Sequence, residues 1–332
     1  MVILFVISIS RLITQAVINQ KLKLVMKKII VPLLILLVAS PVFAQYQKDI
    51  GITIGGSNSL TDMGGDALNR RDFIWDMKLN QTSLAAGAFY RTKINDNIGI
   101  KGSMHWARIK GDDALSSNPG RRGRNLNFRN DLVELGATAE YYFYQTYDVG
   151  GYGRYLVEFR PYVFGGIAGV YSNPKAELDG EYIPLRKLKT EGQSKAYSPV
   201  TVALPTGLGF YFTYAKRYRF GMEFGYRHTF SDYLDDVSTS YAADAAIDSE
   251  LGQLLANRRP ELGNQADLPA ENNYDAGEKR GDATHNDSYL FSEFSFSYVL
   301  RGNPYYHTWI KNAPRRGIRV VRAKSKLGRT PF

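Results

Sequence analysis

The chain has 332 residues, a formal charge of +10, 44% hydrophobic content and no cysteine. This composition excludes wholesale disorder, and the missing thiols exclude disulfide staples, zinc knuckles and cysteine catalysis. Of the charge, five basic and no acidic residues fall in 1–44 and nine basic and no acidic in 301–332, which leaves the body at −4. Basicity therefore belongs to the ends of the chain and is no ground for reading a nucleic-acid binder.

The first element is Lys27-Lys28 followed by "IIVPLLILLVAS" and "PVFA", which reads as charged n-region, apolar h-region and small-residue cleavage site after Ala44. Met26 is then the natural start. The alternative is a membrane anchor, but the apolar run falls short of the roughly 20 residues a spanning helix needs. The division expected is an N-terminal extension and cleaved signal peptide over 1–44, a β-barrel with its loops over 45–301, and a basic tail over 302–332.

Seven alternating segments precede the last one: Ile50–Gly56, Leu84–Ile94, Ile98–Ile109, Val133–Tyr144, Phe159–Tyr171, 200–214 and 217–230. The clearest is the seventh, where Tyr218, Phe220, Met222, Phe224, Tyr226, His228 and Phe230 alternate with Arg217, Arg219, Gly221, Glu223, Gly225, Arg227 and Thr229. An apolar and aromatic face opposite a face of charge and glycine is the pattern of a strand between lipid and a polar lumen. A long strand of a soluble sandwich is the other reading, with the aromatic side as core. With 290–300 the count is eight strands, so the fold expected is an all-β, eight-stranded antiparallel transmembrane barrel, filled inside by side chains.

The connections alternate long and short (57–82, 95–97, 110–131, 145–158, 172–199, 215–217, 231–288). Outer-membrane barrels have long external loops and short periplasmic turns, so the expected placement is the bacterial outer membrane, in contact with its lipid, with both termini in the periplasm. Pro205 lacks the N–H that a closed ladder needs, and predicts a bulge.

Inside, Glu134, Glu140, Glu223 and Glu293 are expected to face Arg91, Lys101, Arg219 and Arg227 as a paired network, since charges in a narrow lumen survive only when compensated. Asp232, Asp235 and Asp236 stand where the seventh strand emerges, with Tyr226, Phe230 and Tyr233 as an aromatic girdle. They are read as the solvated acids expected at such an exit. Segment 231–287 carries thirteen acidic residues against Arg258, Arg259, Lys279 and Arg280, a surface loop with one short helix around 247–257. Of the four histidines, His105 points to the lumen, His228 to lipid, and His285 can join Asp282 and Asp287. None forms a nucleophile–base pair or a regular calcium loop. No enzyme activity, metal or cofactor is expected.

The tail begins "GNPYYHTWI" and continues into "APRRGIRVVRAKSKLGRTPF". Tyr305, Tyr306, Trp309, Arg315, Arg316, Arg319 and Arg322 are its candidate docking residues, against an acidic partner or headgroups; a solvated extension is the other reading.

The segments "PYVFGGIAGVYSNPKAELDGEYIPL", "TEGQ", "VALPTGLGFYFTYAKRYRFGMEFGYRHTFSDYLDDVSTSY" and "RGDATHNDSYLFSEFSFSY", with the opening "GITIGGSNSLTDMGG", resemble the PorG-like outer-membrane barrel family associated with type IX protein secretion. The resemblance covers most of 50–301. It implies a non-enzymatic component of the secretion machinery, linked on the periplasmic side to a lipoprotein and a periplasmic ring protein. It also implies a second reading of Asp232, Asp235 and Asp236, that they order the loop by capping backbone amides. The basic tail departs from the short endings of that family. The rival from another class is a stand-alone barrel that binds a surface ligand or adhesion partner through 231–287.

Overall fold

The computed structural model describes residues 48–63, 79–146, 149, 157–263, 265 and 267–300. The expected signal peptide and the tail, with all seven docking candidates from Tyr305 to Arg322, lie outside the described residues.

Ten strands are present: β1 (Lys48–Leu60), β2 (Ser83–Lys93), β3 (Ile98–Asp112), β4 (Asn127–Tyr142), β5 (Glu158–Tyr171), β6 (Lys175–Leu178), β7 (Glu181–Pro184), β8 (Val200–Tyr214), β9 (Tyr218–Thr229) and β10 (Ser288–Leu300). Eight of them run β3-β2-β1-β10-β9-β8-β5-β4, and β4 pairs back onto β3, closing the sheet. Every pairing is antiparallel. Closure leaves no unpaired barrel edge in lipid, where an unbonded backbone group costs several kcal/mol.

The alternation decides which side is which. Along β1, Ile50, Ile52 and Ile54 are each more than half exposed while Asp49 is fully buried. The same inversion holds for Leu135 against Glu134 and for Phe220 against Arg219. Aliphatic and aromatic side chains thus coat the outside and charges fill the inside, which is the reverse of a soluble sandwich and the signature of a transmembrane barrel. No described helix is long and apolar enough to cross a membrane.

Two expectations fail, and one connection carries structure of its own. Pro205 makes no bulge: β5 and β8 keep one register on both sides of it, Gly165 opposite Thr206 and Ala168 opposite Ala203, and the ladder lapses between them. On the other side Pro205 pairs in step with Arg227. The missing donor is absorbed by that local gap, and no extra residue is needed. The connection 172–199 holds a hairpin, β6–β7, turned at Asp179-Gly180 with φ of 52° and 83°. Two positive φ values mark a tight turn of the kind Asp-Gly prefers. Tyr233 is not in the girdle; its ring stacks on Tyr197 at 4.6 Å among the loops.

Candidate functional site

The short turns set one end of the barrel. At 95–97, Asn95 Oδ1 accepts from the N–H groups of Asn97 (2.9 Å) and Ile98 (2.7 Å). The long connections gather at the other end, and the lumen lies between.

The lumen is occupied. Four arginines (Arg91, Arg160, Arg219, Arg227) and four tyrosines (Tyr142, Tyr162, Tyr211, Tyr289) are among the largest fully buried side chains. In the middle tier the Arg91 Nε ion pair with Glu140 spans 2.9 Å, and Lys101 Nζ lies 2.5 Å from Glu223. Higher up, Arg227 Nε stands 3.6 Å from Glu134 with its guanidinium 4.1 Å over the Phe291 ring. The remaining two expected members take other partners. Arg219 binds Asp49, which also lies 3.6 Å from Arg91 and accepts from Ser297 Oγ at 2.8 Å. Glu293 lies 3.4 Å from His105 Nε2, whose Nδ1 is 3.6 Å from Glu134. Gly87 makes room for that imidazole, because a Cβ there would stand 2.3 Å from the His105 ring.

Asp49 is the member that sequence reasoning missed. It stands at the start of β1 in the same register as Gly51 and Thr53, so the inward face of the weakest alternating strand held the signal. The tyrosines were missed for a related reason: Tyr162 Oη donates to Glu223 at 2.9 Å from a position where an aromatic looks lipid-facing. Toward the long-loop end the lumen turns apolar, with Ile109, Phe128, Leu132, Val170, Leu234 and Val237 in one core cluster.

That cluster is covered by a folded cap, and here the solvated reading of 231–287 is corrected. Asp235 and Asp236 are fully buried and Asp232 is 9% exposed. Asp235 accepts from the N–H groups of Met63 (3.1 Å) and Val237 (2.9 Å), and so ties the loop after β1 to the loop after β9. Asp236, at φ 72°, accepts from Thr190 Oγ1 at 2.5 Å and Tyr197 Oη at 2.7 Å. Asp287 accepts from Leu234 N–H at 2.8 Å and does not join His285, whose partner is Asp282 at 2.9 Å.

Two arginines knit these loops. Arg124 closes α1 (Pro119–Arg124), grips Asp113 through two bonds of 2.7 and 2.9 Å, and donates to the carbonyls of Arg280 (2.6 Å) and Asp62 (2.9 Å). Arg280 lies 3.0 Å from Glu191 and donates to the carbonyls of Asp236 (2.5 Å) and Ala256 (3.2 Å). Ala256 ends α2 (Glu250–Ala256), which is capped by Ser249 and lies inside the expected 247–257. Between 118–124 and 269–282 runs a groove of about 390 Å³ lined by Asn118, Arg121, Tyr274, Lys279 and Asp282.

Burial, with Asp62 alongside, pushes Asp235 up to about 7. Burial, opposed by Arg280, Thr190 and Tyr197, pushes Asp236 up to about 6. Asp287 is raised well above the ordinary carboxylate range by burial and by Asp235, Asp232 and Asp62. A carboxyl whose folded pKa lies above its unfolded value holds its proton more tightly in the folded state, so stability falls as pH rises between the two. The cap is therefore expected to be tightest near pH 4 and to loosen up to about pH 7 as Asp235 ionises, with no further loss from that group above it. Amide exchange of 231–287, corrected for intrinsic rate and referenced to the strands, measures this, and Asp235→Asn should flatten the dependence.

Among the described residues no three His, Asp or Glu side chains converge to hold a metal. His105 is walled in by the lumen, and His285 meets an aspartate and Thr284 on an exposed turn.

A family model described as a domain of unknown function, DUF6089, matches residues 27–257. No curated protein matches the chain. Among solved structures, the attachment invasion locus protein Ail of Yersinia pestis, in complex with the heparin analogue sucrose octasulfate, is similar at 9% identity and a TM-score of 0.30, over 77% of this chain and 97% of that one. Neisserial surface protein A is similar at 10% identity and a TM-score of 0.32, over 76% of this chain and 96% of that one.

Proposed function

The chain belongs to DUF6089, a family of domains of unknown function, and from that premise we propose that it is a non-enzymatic, sealed outer-membrane barrel acting as a docking component of the type IX secretion machinery. The observation that carries the reading is the filled lumen: Arg91, Arg219, Arg227 and their acids are packed inside, with a folded cap above. Function then falls to the two ends. The resemblance of "SDYLDDVSTSY" and "RGDATHND" to the PorG-like family favours the short-turn end. In this reading the termini are periplasmic and residues 302–332 meet a lipoprotein and a periplasmic ring protein through Tyr305, Tyr306, Trp309, Arg315, Arg316, Arg319 and Arg322.

A crosslinked pull-down from cell envelopes, comparing the full chain with one truncated after Arg301, tests this. Recovery of secretion-ring proteins with the full chain only would support docking through the tail. Equal recovery from both would move the contact to the periplasmic turns, and recovery from neither would sink the assignment. The second reading, a stand-alone barrel with a surface ligand, is favoured by the groove between 118–124 and 269–282. It predicts a phenotype from shortening 231–287 and none from the truncation.

A further inference from the structure

The outer wall carries a charge arrangement that the lumen and cap do not explain. On the lipid-facing register of β3, Met104 and Trp106 are followed by Arg108 and Lys110; on β4, Leu135 and Val133 are followed by Asp131 and Arg129. The pairing brings Arg108 opposite Asp131 and then Lys110 opposite Arg129. On its other side Arg129 pairs with Lys175, the first residue of β6. Three cations therefore stand abreast on adjoining strands, Lys110–Arg129–Lys175, about 5 Å apart.

Like charges directly across a sheet destabilise it, so such a row needs a counter-charge. The protein supplies little. Asp131 sits 2.7 Å from Arg108 and reaches Arg129 only at 3.5 Å. Asp112 accepts from Ala114 N–H, and neither Lys110 nor Lys175 has an acid within 4 Å among the described residues; Glu177 stands nearby on β6 without closing such a pair. Arg129 is held with its guanidinium 4.5 Å over the Tyr182 ring and its buried Nε makes no hydrogen bond. It is oriented, and the 28% of its side chain that is exposed is the part a ligand can reach.

Height selects the occupant. Trp106 and Val133 end the apolar band, where aromatic residues mark the membrane interface. Lys110 lies four residues farther along a tilted strand, about 10 Å beyond Trp106. That is the depth of headgroups and their attached sugars. We infer that Lys110, Arg129 and Lys175 form a binding row for the phosphate groups of an outer-leaflet glycolipid, seated on the barrel wall with its acyl chains along the belt below. The row goes beyond secretion docking. It shares with that reading the outward orientation of the long loops, but its test in detergent does not use orientation.

The full chain, purified in zwitterionic detergent, is titrated with doubly phosphorylated lipid A and with its dephosphorylated form, with bound lipid counted by native mass spectrometry. The phosphorylated form should bind at least about tenfold more tightly, and Lys110→Gln/Arg129→Gln/Lys175→Gln should lose roughly a hundredfold of that affinity. Without lipid, the triple variant should melt no lower than the parent, because repulsion has been removed. Lys175→Gln alone, on a surface hairpin, should lose an intermediate share and guards against misfolding of the triple variant. Equal affinity for both lipid forms, or an unchanged triple variant, would overturn the proposal. Equal occupancy by inorganic phosphate would overturn the lipid as the source, and crosslinking of the row to a protein in whole envelopes would replace it with a protein interface.

Discussion

Asp49→Ala is expected to destabilise the barrel more than any other single lumen truncation. Asp49 is shared by two fully buried arginines, Arg219 in contact and Arg91 at 3.6 Å, and it also holds Ser297. Removing one partner of a buried ion pair leaves the other charge desolvated, which costs about 3–5 kcal/mol. Here two guanidiniums lose support at once: Arg91 retains Glu140 at 2.9 Å, and Arg219 retains Thr213 Oγ1 at 3.4 Å and the Tyr211 ring at 4.8 Å. Urea unfolding in lipid vesicles, followed by the heat-modifiable gel shift, should show the midpoint falling. Asp49→Asn should fall less, because the amide keeps an acceptor for Ser297. Glu293→Gln is a useful contrast, since its contacts are to His105 at 3.4 Å and Thr53 at 3.1 Å and no arginine depends on it alone.

Arg280→Ala is expected to release the cap while leaving the barrel folded. Arg280 is 3% exposed and joins Glu191, the Asp236 carbonyl and the end of α2. Glu191 itself accepts from the N–H groups of Ser238 (2.8 Å) and Thr239 (3.1 Å), so losing the guanidinium leaves both Glu191 and Asp236 as buried carboxylates without a cation. The penalty is again about 3–5 kcal/mol, but it falls on loops whose own stability is a fraction of the barrel's. Limited proteolysis should therefore cut between 231 and 287 in the variant, while strand protection and the gel shift stay as in the parent. Joint loss of cap and strands would mean that the cap is part of the barrel's cooperative unit.

These two residues also mark what could be read from the sequence. Strand alternation depends only on neighbours two apart, so 217–230 and 290–300 declared their faces without help. Strand ends were less legible: β4 starts at Asn127, six residues before the apolar alternation begins at Val133, because Arg129 and Asp131 keep the register while breaking the apolar pattern. The lumen charges were legible as a set but not as pairs. Pairing depends on strand stagger, and that places Asp49 at the height of Arg219, 170 residues away. The cap was the least legible. Its ties join Asp62 to Asp282 and Met63 to Asp235 across 220 and 172 residues, and nothing local in "SDYLDDV" separates a solvated acid from a buried one. The β6–β7 hairpin was within reach, since Asp179-Gly180 between two short alternating runs is a hairpin signal in its own right.

A lumen closed by its own side chains confines the barrel's proposed work to its two ends and its wall. Planar-bilayer recording of the refolded full chain reads that closure. Leak-level current with no unitary steps is expected at any applied voltage, and a steady stepwise conductance from the parent chain would mean an open path through the lumen.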